Sequence, residues 1–535
     1  MTRAIGLFAL LTVLMTWPQA RVIRTEATPH QDVYFNMWRV EWFAHALATD
    51  PSHLFDANIF YPEPDTFALS DAMVIEGTMA APFVWMGVRP VLLHNLLLLG
   101  AIALSGAAMF ALARYLTGSR AAGIVAGIVF AFAPYRFEHI MHMEMQWTMW
   151  MPLAFLALHR LYDTGRMKYG LALGGCLALQ VLSSIYYGIF LGVLIGLAAL
   201  LLVLRDRTVP FKSVLAPLAA AALIALAVAA VYSRPYDRVR ARTGDRPVHD
   251  IEQFSARPGS YLVATPNNWL YGIEPGGHEP RAGGPERRLF PGTLALVLAA
   301  FGLLLVPPSR RTMLYLLLLI LAFEMSLGFG GYTYSFLYRY VPVLRGLRAL
   351  ARLGVFVLMF VAVLAAYGYR LIVAAQPAGV RRLVLIAVAG FLLAEYQVTL
   401  TFAPYASEAP LLYRALATQP RGLVIEFPVP QTDSLPGDDA LYAYMSTFHW
   451  FPLANGYSGY YPASYIERLN RLRGFPGDKA LRQLTADRVK YVVIHQGGYS
   501  GTDLSRIRTR LAALGMVQIG AYPDGSSVAI LYRAP

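Results

Sequence analysis

Charge is what this sequence has least of. Asp, Glu, Lys and Arg together make up 14% of its 535 residues, against about a quarter in an average soluble domain. That deficit excludes a water-facing surface over most of the chain. There is one cysteine, Cys176, inside an apolar run; no intramolecular disulfide can form, and cysteine usage leaves the compartment undecided. No Walker loop, no GxGxxG turn opening a helix, no HExxH and no nucleophile elbow occurs. ATP-driven pumping and soluble nucleotide-sugar chemistry therefore lose their usual sequence support. Solenoid-type repeats and low-complexity segments are absent as well.

Apolar residues are what the chain has in excess. They make up 57% of it, with a mean hydropathy of +0.47, in runs that fill most of residues 1–400. This predicts an all-α polytopic membrane protein with about eleven transmembrane helices. The runs lie near 4–20, 90–116, 121–135, 147–162, 168–185, 187–204, 213–232, 290–306, 312–328, 352–372 and 383–401. Residues 76–88 are apolar but short, and read as re-entrant, interfacial or an extra span. Residues 1–20 resemble a signal peptide, yet Trp17-Pro18-Gln19-Ala20 is a poor cleavage site, so the segment is read as a retained first helix. The net charge of +13 sits largely in short Arg/Lys clusters between apolar runs, where membrane topology explains it better than nucleic acid does.

Those clusters set the orientation. With the N-terminus in the cytoplasm, the inner connections carry Arg114 and Arg120; Arg160, Arg166 and Lys168; Arg205, Arg207 and Lys212; Arg310 and Arg311; and Arg370, Arg381 and Arg382. Every short inner loop is then basic. Loops 21–89 and 233–289 and the tail fall outside. The tail changes character: Gly422–Pro428, Val489–His495 and Ser527–Tyr532 read as strands, and Leu504–Leu514 has helical spacing. The expected organisation is a transmembrane domain over 1–401 and a periplasmic α/β domain over 402–535. The location expected is a bacterial inner membrane.

Three clusters carry candidate chemistry. The first outer loop places Asp32 at the start of a helix whose apolar residues recur at Val33, Met37, Val40, Phe43, Ala44 and Leu47, with Trp38 and Trp42 suited to a membrane interface. Asp32 is either an N-cap, satisfying free backbone N–H groups, or a base held at the bilayer surface. In the outer stretch from Pro134 to Glu144, helical spacing would put Glu138 and His142 on one face, with His139 and Glu144 close by. Such a set suits a divalent metal, a donor phosphate, or polar capping of two spans. Finally, Arg345, Arg348 and Arg352 fall at i, i+3 and i+7 in an outer stretch that should be poor in arginine. One helical face of guanidinium groups would clamp a phosphate; the alternatives are salt bridges to outer loops or contact with lipid headgroups. Tail residues Tyr442 to Tyr465 are rich in aromatics and read as core or docking contacts.

Several motifs resemble a known family. Gln31-Asp-Val-Tyr-Phe-Asn-Met-Trp38, Leu54-Phe-Asp-Ala-Asn-Ile-Phe-Tyr-Pro62, Phe132-Ala-Pro-Tyr-Arg136, Phe448-His-Trp450 and Asn455-Gly-Tyr-Ser-Gly459 are similar to a large group of bacterial membrane proteins described as GT-C-like glycosyltransferases. The resemblance covers most of the chain. It implies inverting-type transfer of a sugar from a polyprenyl phosphate to an acceptor hydroxyl on a glycan, lipid or protein, at the outer face of the bilayer. Asp32 matches the acidic position that deprotonates the acceptor. No Asp-Glu doublet of the protein O-mannosyltransferase kind is present. Arg345, Arg348 and Arg352, with His139 and His142, would steady the leaving phosphate; a divalent metal is compatible with this but not required. The rival readings are a flippase of lipid-linked glycan, for which no inverted repeat is found, and a non-catalytic envelope scaffold.

The topology is testable by fusion. A phosphatase joined at Pro535 should be active, and a cytoplasm-dependent reporter at the same place silent. The reverse pattern overturns the orientation.

Overall fold

The computed structural model describes residues 1–205, 211–272 and 284–535. Arg207 of the predicted inner loops and part of the 233–289 loop lie outside the described residues. The chain divides into two compact units: Met1–Val22, Asn95–Ser233 and Gly244–Phe402 form one, and Ile23–His94, Arg234–Thr243 and Ala403–Pro535 the other.

The first unit is helical. Each of the eleven apolar runs lies on a helix, and five helices among the described residues are long and apolar enough to cross a membrane: Pro90–Thr117, Arg120–Glu138, Ile185–Val203, Lys212–Thr243 and Leu350–Ala374. Thr2–Met15, Met167–Ser183 and Thr293–Leu304 are apolar but shorter. At the centre stands Gly354–Ala374, buried from Gly354 through Ala366. A helix apolar on every side belongs inside a bundle or a bilayer, and its neighbours here include Arg120–Phe132, Thr293–Leu304 and Arg310–Ser326. Its closest approach is to Thr293–Leu304. A Cβ on Gly368 would run into the carbonyl oxygen of Leu298, and one on Gly302 into that of Leu364. Two glycines thus bring the backbones together, the usual device where helices cannot associate by expelling water.

The second unit combines a long helix, Gln31–Thr49, with a mixed sheet. Helix Val74–Trp85 packs on Gln31–Thr49. Its 12 residues reach about 18 Å, too short for a hydrocarbon core of about 30 Å. Met79, Phe83, Trp85 and Met86 are exposed on it and at its end. The sheet contains β1 (Val424–Phe427), β2 (Tyr491–His495), β3 (Val517–Asp524) and β4 (Ser527–Arg533), in the order β1-β2-β4-β3. β1 and β2 are parallel and the other pairs antiparallel. Helix Gly501–Ala513, started by a capping box between Ser500 and Asp503, adds Ile507 and Leu511 to a core with Ile425, Val492, Ile494 and Ile530. One polar knot interrupts that core. His495 on β2 lies 2.9 Å from Glu426 on β1 and 2.8 Å from Asp524 on β3, and Tyr413 donates to the same Glu426. Burial disfavours the imidazolium, but the hydrogen bonds it donates to both carboxylates outweigh that and push the pKa up to about 9.

Replacing Gly368 by Leu should force Thr293–Leu304 away from the central helix. Overpacking of this kind costs roughly 1–3 kcal/mol, read as a lower unfolding temperature in detergent, while Gly379→Leu, where nothing lies within 4 Å, should be tolerated.

Candidate functional site

Helix Gln31–Thr49 is started by His30, not by Asp32. The His30 backbone is extended, and its Nδ1 accepts the backbone N–H of Asp32 at 3.1 Å. The capping duty that an aspartate would perform is already taken, so the N-cap reading of Asp32 does not hold. The Asp32 carboxylate instead accepts a hydrogen bond from the Tyr457 hydroxyl at 2.6 Å, with His30 Nδ1 3.2 Å from the other oxygen. Its side chain is 18% exposed, shielded yet reachable. Burial, then the charge of Asp32, push the Tyr457 pKa up, so this phenol stays protonated as a donor. Tyr457 lies in the Asn455–Gly459 motif and packs edge-on against Phe35. The helix dipole adds a positive field at this first turn, which favours the ionised carboxylate. Sequence reasoning missed Tyr457 as a partner because it stands 425 residues from Asp32.

The stretch from Pro134 to Gln146 is broken rather than continuous. Helix Pro134–Glu138 ends at His139, and Met143–Gln146 forms a separate turn. Glu138 and His142 therefore do not share a helical face. Glu138 pairs with Arg288 at 2.8 Å, both almost fully buried. The imidazoles of His139 and His142 approach within 3.3 Å through their Nδ1 atoms. Burial pushes His139 down to about 3, so its ring is neutral at physiological pH. Arg136 spends its guanidinium on the carbonyls of Met145 and Gln146, fixing the loop. Glu144 is buried and acts by charge on Arg352. Among the described residues, no group of three or more His, Cys, Asp or Glu side chains is placed to hold a metal.

The arginine stretch departs furthest from expectation. Pro342–Gly346 and Leu350–Leu353 are separate 3-10 turns, with Leu347 and Ala349 non-helical between them. Pro342 cannot continue the preceding helix, and the three arginines do not line one helical face. Arg345 donates to the carbonyls of Tyr338 and Arg339. Arg352 forms a salt bridge with Glu286 at 2.8 Å, 13% and 11% exposed. Arg348 stacks over the Phe254 ring at 5.0 Å, its backbone N–H donates to the Tyr186 hydroxyl, and no carboxylate pairs with its guanidinium among the described residues. Burial alone would raise the Glu286 pKa; the charge of Arg352 outweighs it and holds the carboxyl well below its ordinary value.

One buried ionic cluster thus brings together Glu138, His139, His142, Glu144 and Arg352 with two residues missed in the sequence, Glu286 and Arg288. Both sit at the end of the 233–289 loop, whose Arg, Gly and Pro content carries no periodic signal. Among the described residues, Nε2 of His139, Oε2 of Glu286 and Nε of Arg288 are buried and have no hydrogen-bond partner. Buried polar atoms are ordinarily satisfied, so these three mark the cluster as a place where a polar ligand would be welcome.

Glu286→Gln should destabilise the protein by roughly 3–5 kcal/mol, because it strands a buried guanidinium. Pairing it with Arg352→Met should restore much of the loss, measured as unfolding temperature. The depressed carboxyl contributes stability that is complete above its unfolded pKa of about 4.3 and is lost as pH falls through the lower folded value. The wild type should accordingly lose stability in acid more steeply than the double variant.

No family model matches the chain, and no curated protein does. Among solved structures it is similar to the oligosaccharyltransferase of Archaeoglobus fulgidus in the apo form, at 13% identity and a TM-score of 0.47, covering 92% of this chain and 69% of that one. It is also similar to the same organism's AglB with an inhibitory peptide and a dolichol-phosphate, at 12% identity, a TM-score of 0.45 and the same coverage. A third likeness is to ArnT from Cupriavidus metallidurans bound to undecaprenyl phosphate, at 12% identity and a TM-score of 0.46, covering 98% of this chain and 97% of that one.

Proposed function

We propose that this protein is a membrane glycosyltransferase that moves a sugar from a polyprenyl phosphate to an acceptor hydroxyl at the outer face of the bilayer. The observation that carries this reading is the Asp32 carboxylate, relieved of helix capping by His30 and held by the Tyr457 hydroxyl at 2.6 Å. An aspartate oriented by Tyr457 at one oxygen and His30 at the other, with its side chain partly accessible, is placed to take a proton. In the proposed step it accepts the acceptor's hydroxyl proton as that oxygen attacks the anomeric carbon. The bond to the lipid phosphate breaks from the opposite face, and the configuration inverts. The departing phosphate gathers negative charge, which fixed cations stabilise.

Of the three arginines, Arg348 is assigned that role. Arg345 is bound to backbone carbonyls and Arg352 to Glu286, while the Arg348 guanidinium meets an aromatic face and, among the described residues, no carboxylate. His139 and His142 are the auxiliary donors in this reading, and Glu138, Glu144 and Glu286 keep the surrounding arginines in place. The organisation proposed is a transmembrane domain over 1–401 with outer loops, and an outer domain over 402–535.

Membranes carrying Asp32→Asn should transfer label from polyprenyl-phosphate sugars about 10²–10⁴-fold more slowly than wild type. The amide still accepts the Tyr457 hydrogen bond, so the protein should remain inserted and equally stable. Arg348→Ala should weaken use of the donor far more than use of the acceptor, with Lys at that position only a partial substitute, since it lacks the planar fork. Full activity in Asp32→Asn would remove the base from the scheme.

A further inference from the structure

The motif from Leu54 to Pro62 and the segment leading into the Asn455–Gly459 motif meet backbone to backbone. Leu453 donates to the carbonyl of Asn58 at 2.7 Å, Phe60 to that of Asn455 at 2.9 Å, and Tyr61 to that of Leu453 at 3.0 Å. Residue 456 has to be glycine, because a Cβ there would collide with the Phe60 ring. From this junction each motif runs on into a wall of the same cavity, of about 300 Å³. That lies at the lower end of the roughly 300–1,000 Å³ of small-molecule sites.

The walls are held firmly. Phe60 and Asp65 have φ of 57° and 55°, a left-handed conformation that non-glycine residues keep only where surrounding contacts impose it. Asp65 is buried; it receives Arg238 and Arg242, and its own N–H donates to Asp56. Arg242 also donates to the carbonyl of Pro64 at 2.9 Å, and Tyr460 to that of Thr243 at 3.0 Å. Ser464 donates to Glu63. The end of helix Phe211–Thr243, the loop 63–69 and the segment 460–464 are thereby tied together around an open space.

The lining is mixed in a particular way. Leu69 and Pro462 offer apolar contact and Tyr460 an aromatic ring, while Glu63, Arg242 and Ser464 offer acceptors and donors. A purely apolar guest would strip water from the hydrogen-bonding sites that Glu63, Arg242 and Ser464 keep beyond their bonds to one another, to Asp65 and to Pro64, a desolvation cost with no compensation. An anionic guest would meet Glu63, and the charge of Arg242 is already matched by Asp65. A neutral ring with an apolar C–H face and a rim of hydroxyls satisfies every wall: the face lies on Tyr460, Leu69 and Pro462, and the hydroxyls reach Glu63, Arg242 and Ser464.

We infer that this cavity binds a pyranose ring, and that the acceptor of the transfer reaction is therefore a glycan. The second clause rests on the transferase reading above; the first does not. The test is ligand-observed saturation-transfer NMR on the full-length protein in detergent, with the methyl glycosides of glucose, galactose, mannose and N-acetylglucosamine as probes. At least one should give a difference signal with wild type. Tyr460→Ala should weaken it about tenfold, the scale of one lost aromatic contact. Ala463→Trp, which adds bulk at an exposed wall position and removes no contact of the fold, should abolish it. Asp32→Asn should bind as wild type does. A wild type that binds none of the four, or a signal that survives Ala463→Trp in folded protein, overturns the inference. Glycoside binding by a protein that transfers nothing from polyprenyl-phosphate sugars would support the pocket and sink the transferase reading.

Discussion

A guanidinium buried among apolar helices must find acceptors, and two ion pairs of the first unit answer that requirement. Arg352 begins the central helix at Leu350–Ala374 and pairs with Glu286; Glu138, at the end of another long apolar helix, pairs with Arg288 two residues further on. The short segment 284–288 is therefore held at both charges. Arg287 adds bonds to the carbonyls of Ser255 and Glu252, and Leu289 donates to that of Ser260 while its side chain fills the space above Gly354. Removing either carboxylate would leave a charge that the apolar surroundings cannot solvate. Ionisable groups at such a position are costly to keep. Three orphaned polar atoms within the cluster fit a site that binds a polar group better than one built for stability alone.

The second unit solves a different problem, that of sparing one first-turn carboxylate the capping of its own helix. A first-turn aspartate is normally absorbed by its own helix. Here His30 takes over the capping bond, and Tyr457, from the far end of the chain, holds one Asp32 oxygen. The same unit contains a carboxylate put to wholly structural use. Glu426 sits in an otherwise apolar strand, and its charge is balanced by His495, itself shared with Asp524. Asp439 shows the opposite outcome. Burial pushes its pKa up to about 8 despite hydrogen bonds from Tyr465 and Asn455. The aromatic stretch around it, Tyr442 through Tyr465, works as core: Tyr442, Tyr444 and Tyr465 are fully buried.

How much of this was legible beforehand depends on the range of the interaction. All eleven apolar runs lie on helices, because a long apolar segment can satisfy its backbone only within itself once water is excluded. Helix Gln31–Thr49 follows the predicted apolar spacing, and β1, β2 and β4 coincide with the strand-like runs of the tail. Strand β3 went unread because no residue of Val517–Asp524 is buried, and Gln518, Gly520 and Pro523 break any continuous apolar signal. The arginine face was misread for a local reason: i, i+3, i+7 spacing describes a helix, but Pro342 and Gly346 prevent one from forming there.

The sequence by itself determined where helices form, which segments are apolar enough for a bilayer, and that Asp32 stands at the head of a helix, because these follow from neighbours a few residues apart. Tertiary structure alone decided what each charged group does. Asp32 is relieved by His30 but anchored by Tyr457, Arg352 is neutralised by Glu286 while Arg348 is not, and Ile23–His94 joins Arg234–Thr243 and the tail in one unit. Apart from the capping by His30, two residues from Asp32, those pairings join partners 66 to 425 residues apart. No periodicity encodes such pairings; they arise when burial forces each charge to take the nearest compatible group the fold brings to it.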